Sequence, residues 1–199
     1  MKSKIGMTLI AYLLLCGCQQ EPARTADLFG KKVLMIIASK NFRDEEYREP
    51  WTILHLSGAQ LTTACSSLDE ARGMLGMTVK PDILLKDAKV ADYDAVIFVG
   101  GMGASEYFDD PVAHKLAREA AAAGKVVAAI CIAPVTLAKA GILKGKRVTA
   151  FPSVKADIEK GGAQYTGAPL EVDGNIITGK GPDVARKFAN AIVEALSKK

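Results

Sequence analysis

The chain has 199 residues, 49% of them hydrophobic and 24% charged, with a formal net charge of +4 and four cysteines. That length fits one domain, which buries enough apolar surface to fold without a disulfide scaffold. Ordinary charged and aromatic content excludes wholesale disorder, and no Lys/Arg cluster interleaves with aromatics, which argues against a nucleic-acid partner.

The first residues read as an address rather than as fold. Lys2 and Lys4 precede Ile5 to Leu15 (IGMTLIAYLLL), an uncharged apolar run. A bilayer span needs about 20 residues, so this shorter run predicts a secretory signal over residues 1–17. Leu15-Cys16-Gly17-Cys18 resembles a bacterial lipoprotein box. That resemblance makes Cys18 the lipid-bearing first residue of the mature chain. Gln19 at the next position implies an outer-membrane address facing the periplasm, with the membrane met through the lipid only. An ordinary signal peptide and an uncleaved anchor are the alternatives. Residues 18–30, polar and containing Pro22, predict a flexible tether. Without residues 1–17 the chain keeps 24 basic and 22 acidic residues, a net charge of +2.

Residues 31–199 then alternate short apolar runs with amphipathic segments. Lys32 to Ala38 (KVLMIIA) predicts a strand covered on both faces. Asp44 to Ser57 predicts a helix stopped by Gly58, which Pro50 either kinks or restarts. Gln60 to Cys65 is a second predicted strand, and Gly73 to Val79 a hairpin or small strand pair. Asp94 to Val99 (DAVIFV) is a strand, Pro111 to Ala123 a helix, and Lys125 to Ile130 (KVVAAI) a strand. Ala133 to Ala140 is a helix, Ile176 to Thr178 a short strand and Pro182 to Leu196 the last helix. This alternation predicts a three-layer α/β/α sandwich, flavodoxin-like, with a mostly parallel sheet and sites beyond the carboxyl ends of its strands.

Cys131 sits between KVVAAI and a helix opened by Pro134. A residue there is presented on a sharp strand-to-helix turn, the geometry of a nucleophile elbow. Helix N-terminal N–H groups beside the sulfur predict a lowered thiol pKa. A buried core cysteine is the alternative. Gly100-Gly101-Met102-Gly103 closes the preceding strand and could offer N–H groups to an oxyanion, or simply make a tight turn. No phosphate loop and no dinucleotide glycine fingerprint occurs. Asn41 to Tyr47 (NFRDEEY) holds three acids after the first strand, where one could point across the strand ends at Cys131. Asp44, Glu45 and Arg48 are expected on a solvated face. Cys65 is expected as a buried thiol, and a Cys65–Cys131 disulfide needs strand ends closer than the topology promises. His55 is expected half-buried and His114 on the surface, neither at the strand ends.

Together NFRDEE, YDAVIFVGG and AAICIAP, with GILKGKRVT, EVDGNIITGKGP and AIVEAL, resemble the ThiJ/PfpI family, the superfamily of the Parkinson-associated protein deglycase. The resemblance runs from about Lys32 to Leu196. It implies Cys131 as nucleophile, Glu46 as the buried acid sharing a proton with the sulfur, and the backbone of Gly101 and Ile132 as oxyanion donors. It also implies a homodimer and no metal or organic cofactor. Two departures bear on the chemistry. Protease-like members carry His after the cysteine, where this chain has Ile132; the deglycase branch has a His at the position of Phe151. The expectation is therefore a Cys131/Glu46 protein acting on small aldehydes or glycated substrates. The alternative is a redox sensor whose Cys131 oxidises to sulfinate, with a peptidase or amidohydrolase least favoured because Ile132 cannot act as a base.

Overall fold

A computed structural model describes residues 27–198. The predicted signal, Cys18 and residues 18–26 of the predicted tether lie outside the described residues; residues 27–30 belong to the fold rather than to a tether, because Leu28 is fully buried and its N–H donates to the Ser57 carbonyl at 2.7 Å. In chain order the elements are β1 (Lys32–Ile36), β2 (Lys40–Phe42), α1 (Asp44–Leu56), β3 (Gln60–Cys65), β4 (Ala71–Gly73), β5 (Thr78–Val79), β6 (Ile83–Leu84), β7 (Ala95–Phe98), α2 (Pro111–Ala122), β8 (Val126–Ile130), α3 (Pro134–Lys139), β9 (Arg147–Val148), α4 (Lys155–Lys160), β10 (Gln164–Tyr165), β11 (Leu170–Asp173), β12 (Ile176–Gly179) and α5 (Ala185–Ser197).

Seven strands form one sheet in the order β11-β12-β8-β7-β1-β3-β6. Every pairing is parallel except β11 with β12. The continuous apolar runs explain why this sheet is central. Side chains alternate across a strand, and in β1, β7 and β8 both alternating sets are apolar. Val33, Met35, Ala95, Ile97, Val126 and Ala128 face one layer, which includes Leu54 of α1 and Phe188, Ile192 and Leu196 of α5. Leu34, Ile36, Val96, Phe98, Val127 and Ala129 face the other, with Leu116 and Ala120 of α2, Leu137 of α3 and Ile158 of α4. The result is the α/β/α sandwich expected from sequence. No described helix is long and apolar enough to cross a membrane.

Local signals place most boundaries. Asp110 caps α2, its Oδ1 accepting from the N–H groups of Val112 and Ala113 at 2.7 and 2.9 Å, with Pro111 at the first helical position. Pro50 neither ends nor restarts α1, which runs through it as one element. Tyr47, Pro50 and Leu54 are all buried, so packing outweighs the missing N–H. The last predicted helix opens as a 3-10 turn over Pro182–Val184 before α5 begins. The elements absent from the sequence reading, β2, β6, β9, β10, β11 and α4, have two to six residues. They are too short to carry a period and exist through their pairing partners.

The order of strands fixes where a site can form. From β1 the chain winds outward through β3 and β6, then returns to the other side through β7, β8 and β12. The direction reverses between β1 and β7, and ligands favour the carboxyl ends of strands at such a reversal.

Candidate active site

Three segments meet there: the stretch after β1 that leads into α1, the loop after β7, and the turn after β8. Cys131 occupies the last. It is 9% exposed and has φ 64°, a left-handed conformation that side chains other than glycine rarely adopt. Its backbone is pinned on both sides. The Cys131 N–H donates to the Gly179 carbonyl at 2.9 Å, and its carbonyl accepts from the Phe151 N–H at 2.8 Å. These bonds hold the strained turn between β8 and α3.

Glu46, in the first turn of α1, is fully buried. Among the described residues neither carboxyl oxygen has a hydrogen bond of good geometry; its polar neighbours are the Cys131 thiol and the Gly100 backbone. Gly100 makes the meeting possible. A Cβ on it would stand 2.3 Å from Glu46 Oε2 and 2.6 Å from Cys131 Cβ, so only glycine fits between them. Gly101, at φ 96°, lies against the strand exit, where a Cβ would come within 2.3 Å of the Arg43 nitrogen. The Arg43 N–H in turn donates to the Gly100 carbonyl at 2.9 Å.

Burial shapes the electrostatics. Desolvation raises Glu46 from 4.5 to about 8, against the pull of the Cys131 thiol and, more weakly, the Arg43 charge and the Gly100 backbone. Cys131 is pushed up to about 12, first by burial and then by the Glu46 charge, while the Gly101 and Ile132 backbone groups lower it. This corrects the expected lowered thiol pKa: burial outweighs the favourable N–H groups. The repulsion exists only once Glu46 is ionised, so it belongs to the second proton lost by the pair. At neutral pH carboxyl and thiol both hold protons. The first anion is shared between them, and a protonated carboxyl can then donate to thiolate sulfur.

The pair forms the floor of a cavity of about 390 Å³, walled by Arg43, Met74, Met102, Ile132, Phe151, Ser153, Val154 and Pro182. Arg43 is tied up in a two-point ion pair with Glu45, at 2.8 and 3.2 Å. The Met74 wall is held by Asp44. This carboxylate, 4% exposed, accepts from the N–H groups of Leu75 and Met77 at 2.9 and 2.8 Å, clamping the β4–β5 hairpin to the start of α1.

A protein-family model described as the DJ-1/PfpI family matches residues 31–195. The chain belongs to this family. It is 41% identical over 170 residues to a protein of Methanocaldococcus jannaschii, covering 84% of this chain and 83% of that one. It is 32% identical to a glutathione-independent glyoxalase of Caenorhabditis elegans (83% and 89% covered) and 30% identical to a deglycase of Pyrococcus horikoshii (76% and 90% covered). The crystal structure of a ThiJ/PfpI domain protein from Brachyspira murdochii superposes with a TM-score of 0.83 at 32% identity, covering 85% of this chain and 99% of that one.

Of the DJ-1/PfpI residues expected from sequence, Cys131, Glu46, Gly101 and Ile132 come together, and Phe151 stands on the rim. Cys18 lies outside the described residues. Other expectations are corrected. Asp44 is buried rather than solvated, because the hairpin covers it. His55 is exposed and stacked on Trp51 at 4.8 Å, whereas His114 is half-buried with Nε2 2.8 Å from the Phe108 carbonyl. Cys65 and Cys131 are both free. β3 and β8 are three strand spacings apart, roughly 14 Å, which is beyond disulfide reach. Met74, Ser153, Val154 and Pro182 also line the cavity, which the sequence does not signal. They come from segments distant in sequence, and none carries a chemical signature.

Proposed function

We propose that this protein is a cysteine-dependent enzyme of small reactive carbonyls, a glyoxalase or deglycase. One observation carries the reading: a buried, unpartnered carboxyl lies against a strained cysteine at the floor of an open cavity. The named activities of the C. elegans and P. horikoshii relatives support the substrate class.

With methylglyoxal, Cys131 sulfur adds to the aldehyde carbon. The reacting form is the pair after its first shared proton has left: the sulfur adds as thiolate, and the protonated Glu46 carboxyl gives its proton to the aldehyde oxygen, whose developing charge the N–H groups of Gly101 and Ile132 steady. Glu46, now a carboxylate, takes the proton from the hemithioacetal carbon and returns it to the neighbouring carbon, while the hydroxyl proton shifts to the neighbouring oxygen. Water then cleaves the resulting thioester to lactate and free thiol. One carbon is oxidised and its neighbour reduced, so the sequence uses no external oxidant, metal or organic cofactor. The named activities of the relatives favour this route over the redox-sensor alternative, in which peroxide would oxidise the Cys131 thiolate. A peptidase is not supported, since Ile132 stands where its imidazole would be.

Purified residues 19–199 incubated with methylglyoxal should form lactate, and Cys131→Ala should reduce this to background. Equal lactate from both proteins would sink the reading. Peroxide-induced sulfinate on Cys131, without lactate, would favour the redox sensor.

We further propose that the mature chain starts at a lipidated Cys18, sits in the bacterial envelope on the outer membrane facing the periplasm, and pairs as a homodimer. Palmitate labelling lost in Cys18→Ser, and sedimentation at twice the protomer mass, are the expected results. An unlabelled chain or a monomer would overturn the respective claim.

A further inference from the structure

The cavity has more to recognise than an aldehyde group. Its chemistry is concentrated on the floor, in Cys131, Glu46 and the neighbouring backbone. Its upper walls are apolar: Met74, Met102, Phe151, Val154 and Pro182. Three of these are unusually open for large apolar side chains, at 37% for Met74, 69% for Met102 and 43% for Phe151. They come from three unconnected segments, the β4–β5 hairpin, the loop after β7 and the turn after β9. Only the tertiary fold gathers them around one opening.

The polar groups do not invite a charged substrate. Arg43 is paired with Glu45, and Glu46 is protonated at neutral pH. A volume of about 390 Å³ lies within the usual range for small-molecule sites, roughly 300–1,000 Å³. A three-carbon aldehyde would leave most of it unfilled. Methionines suit such a wall because their flexible, polarisable side chains close around a flat apolar group.

We infer that the cavity is a subsite for an uncharged, apolar substituent of about phenyl size on the aldehyde, seated between Met74, Met102 and Phe151. The preferred substrates are thus aryl or branched-alkyl α-oxoaldehydes rather than methylglyoxal. This rests on the carbonyl reading, but the subsite can be tested without it.

Two ratios decide the matter. The first is kcat/KM for phenylglyoxal over methylglyoxal, with hydroxy-acid product followed. Replacing methyl by a buried phenyl should favour phenylglyoxal at least tenfold, and Met102→Ala or Phe151→Ala should cut that ratio severalfold. Both residues lie largely at the surface, and the Phe151 bond to Cys131 is through its backbone, so these variants should fold. The second is the rate at which N-benzyl iodoacetamide, relative to iodoacetamide, alkylates Cys131, normalised to glutathione. This needs no turnover, and the same tenfold preference is expected.

In an active enzyme, a kcat/KM ratio within twofold of one overturns the subsite. If neither aldehyde is turned over, the carbonyl reading fails and the alkylation ratio decides alone: tenfold supports the apolar subsite, and a value within twofold of one overturns it.

Discussion

Glu46 carries a folded-state pKa of about 8 against 4.5 in the unfolded chain, so its protonation couples to folding. Below 4.5 both states hold the proton. Between those two values the folded state keeps it while the unfolded chain releases it, so stability falls as pH rises. The penalty is complete only above the folded value. A shift of this size corresponds to several kcal/mol, as an order of magnitude. Glu46→Gln keeps the shape and removes the proton. Urea unfolding at pH 5, 6.5 and 8 should therefore show the variant gaining on the wild type as pH rises; a constant difference would contradict the assignment. Cys131 reactivity should also report the pair. Its alkylation rate should climb through about pH 8 in the wild type, as the first shared proton leaves, and the variant should lack that inflection. Sequence position made Cys131 legible at a strand-to-helix turn, whereas the acidic stretch left three candidates and only the family resemblance singled out Glu46. Neither could supply their pKa values, because desolvation depends on everything packed around them.

At the scale of elements, the β4–β5 hairpin is the piece that makes a cavity out of a strand-end cluster. Two N–H groups of its turn are satisfied by Asp44 alone among side chains, at 2.9 and 2.8 Å. A Cβ on Gly73 would stand 2.5 Å from Asp44 Oδ2, so hairpin and helix start are tightly apposed. Asp44→Ala removes the acceptor of both part-buried hydrogen bonds, at a loss of about 1–3 kcal/mol. Because the hairpin carries Met74 and not the reacting groups, KM should rise more than kcat falls. A fall in kcat alone would show that the clamp does not serve the pocket wall. An acid at the first residue of a helix is an ordinary sequence signal. That this acid binds a hairpin some thirty residues away was not readable, since nothing in the local pattern names a distant partner.

Across the whole molecule, stability rests on two apolar clusters separated by the sheet. Phe188 of α5 is fully buried in one of them and packs against β12, where a Cβ on Gly179 would stand 3.2 Å from its ring. Phe188→Ala should lower unfolding free energy by about 3–5 kcal/mol, read as a lower urea midpoint. A loss under about 1 kcal/mol would mean that α5 is not an integral wall of the core. The runs KVLMIIA, DAVIFV and KVVAAI, apolar at both alternating sets of positions, were enough to call for a sheet covered on both sides. The intervening helical patterns supplied the covering layers. That much follows from sequence because hydrophobic periodicity is local. The tertiary structure alone decided which strand ends become neighbours, and so brought Glu46 to Cys131 across Gly100 and kept Cys65 out of reach. It also gathered Met74, Met102 and Phe151 into one wall and raised the thiol that position alone would lower. The reason is the same in each case: burial, desolvation and cavity shape belong to contacts between residues far apart in the chain, which no local pattern encodes.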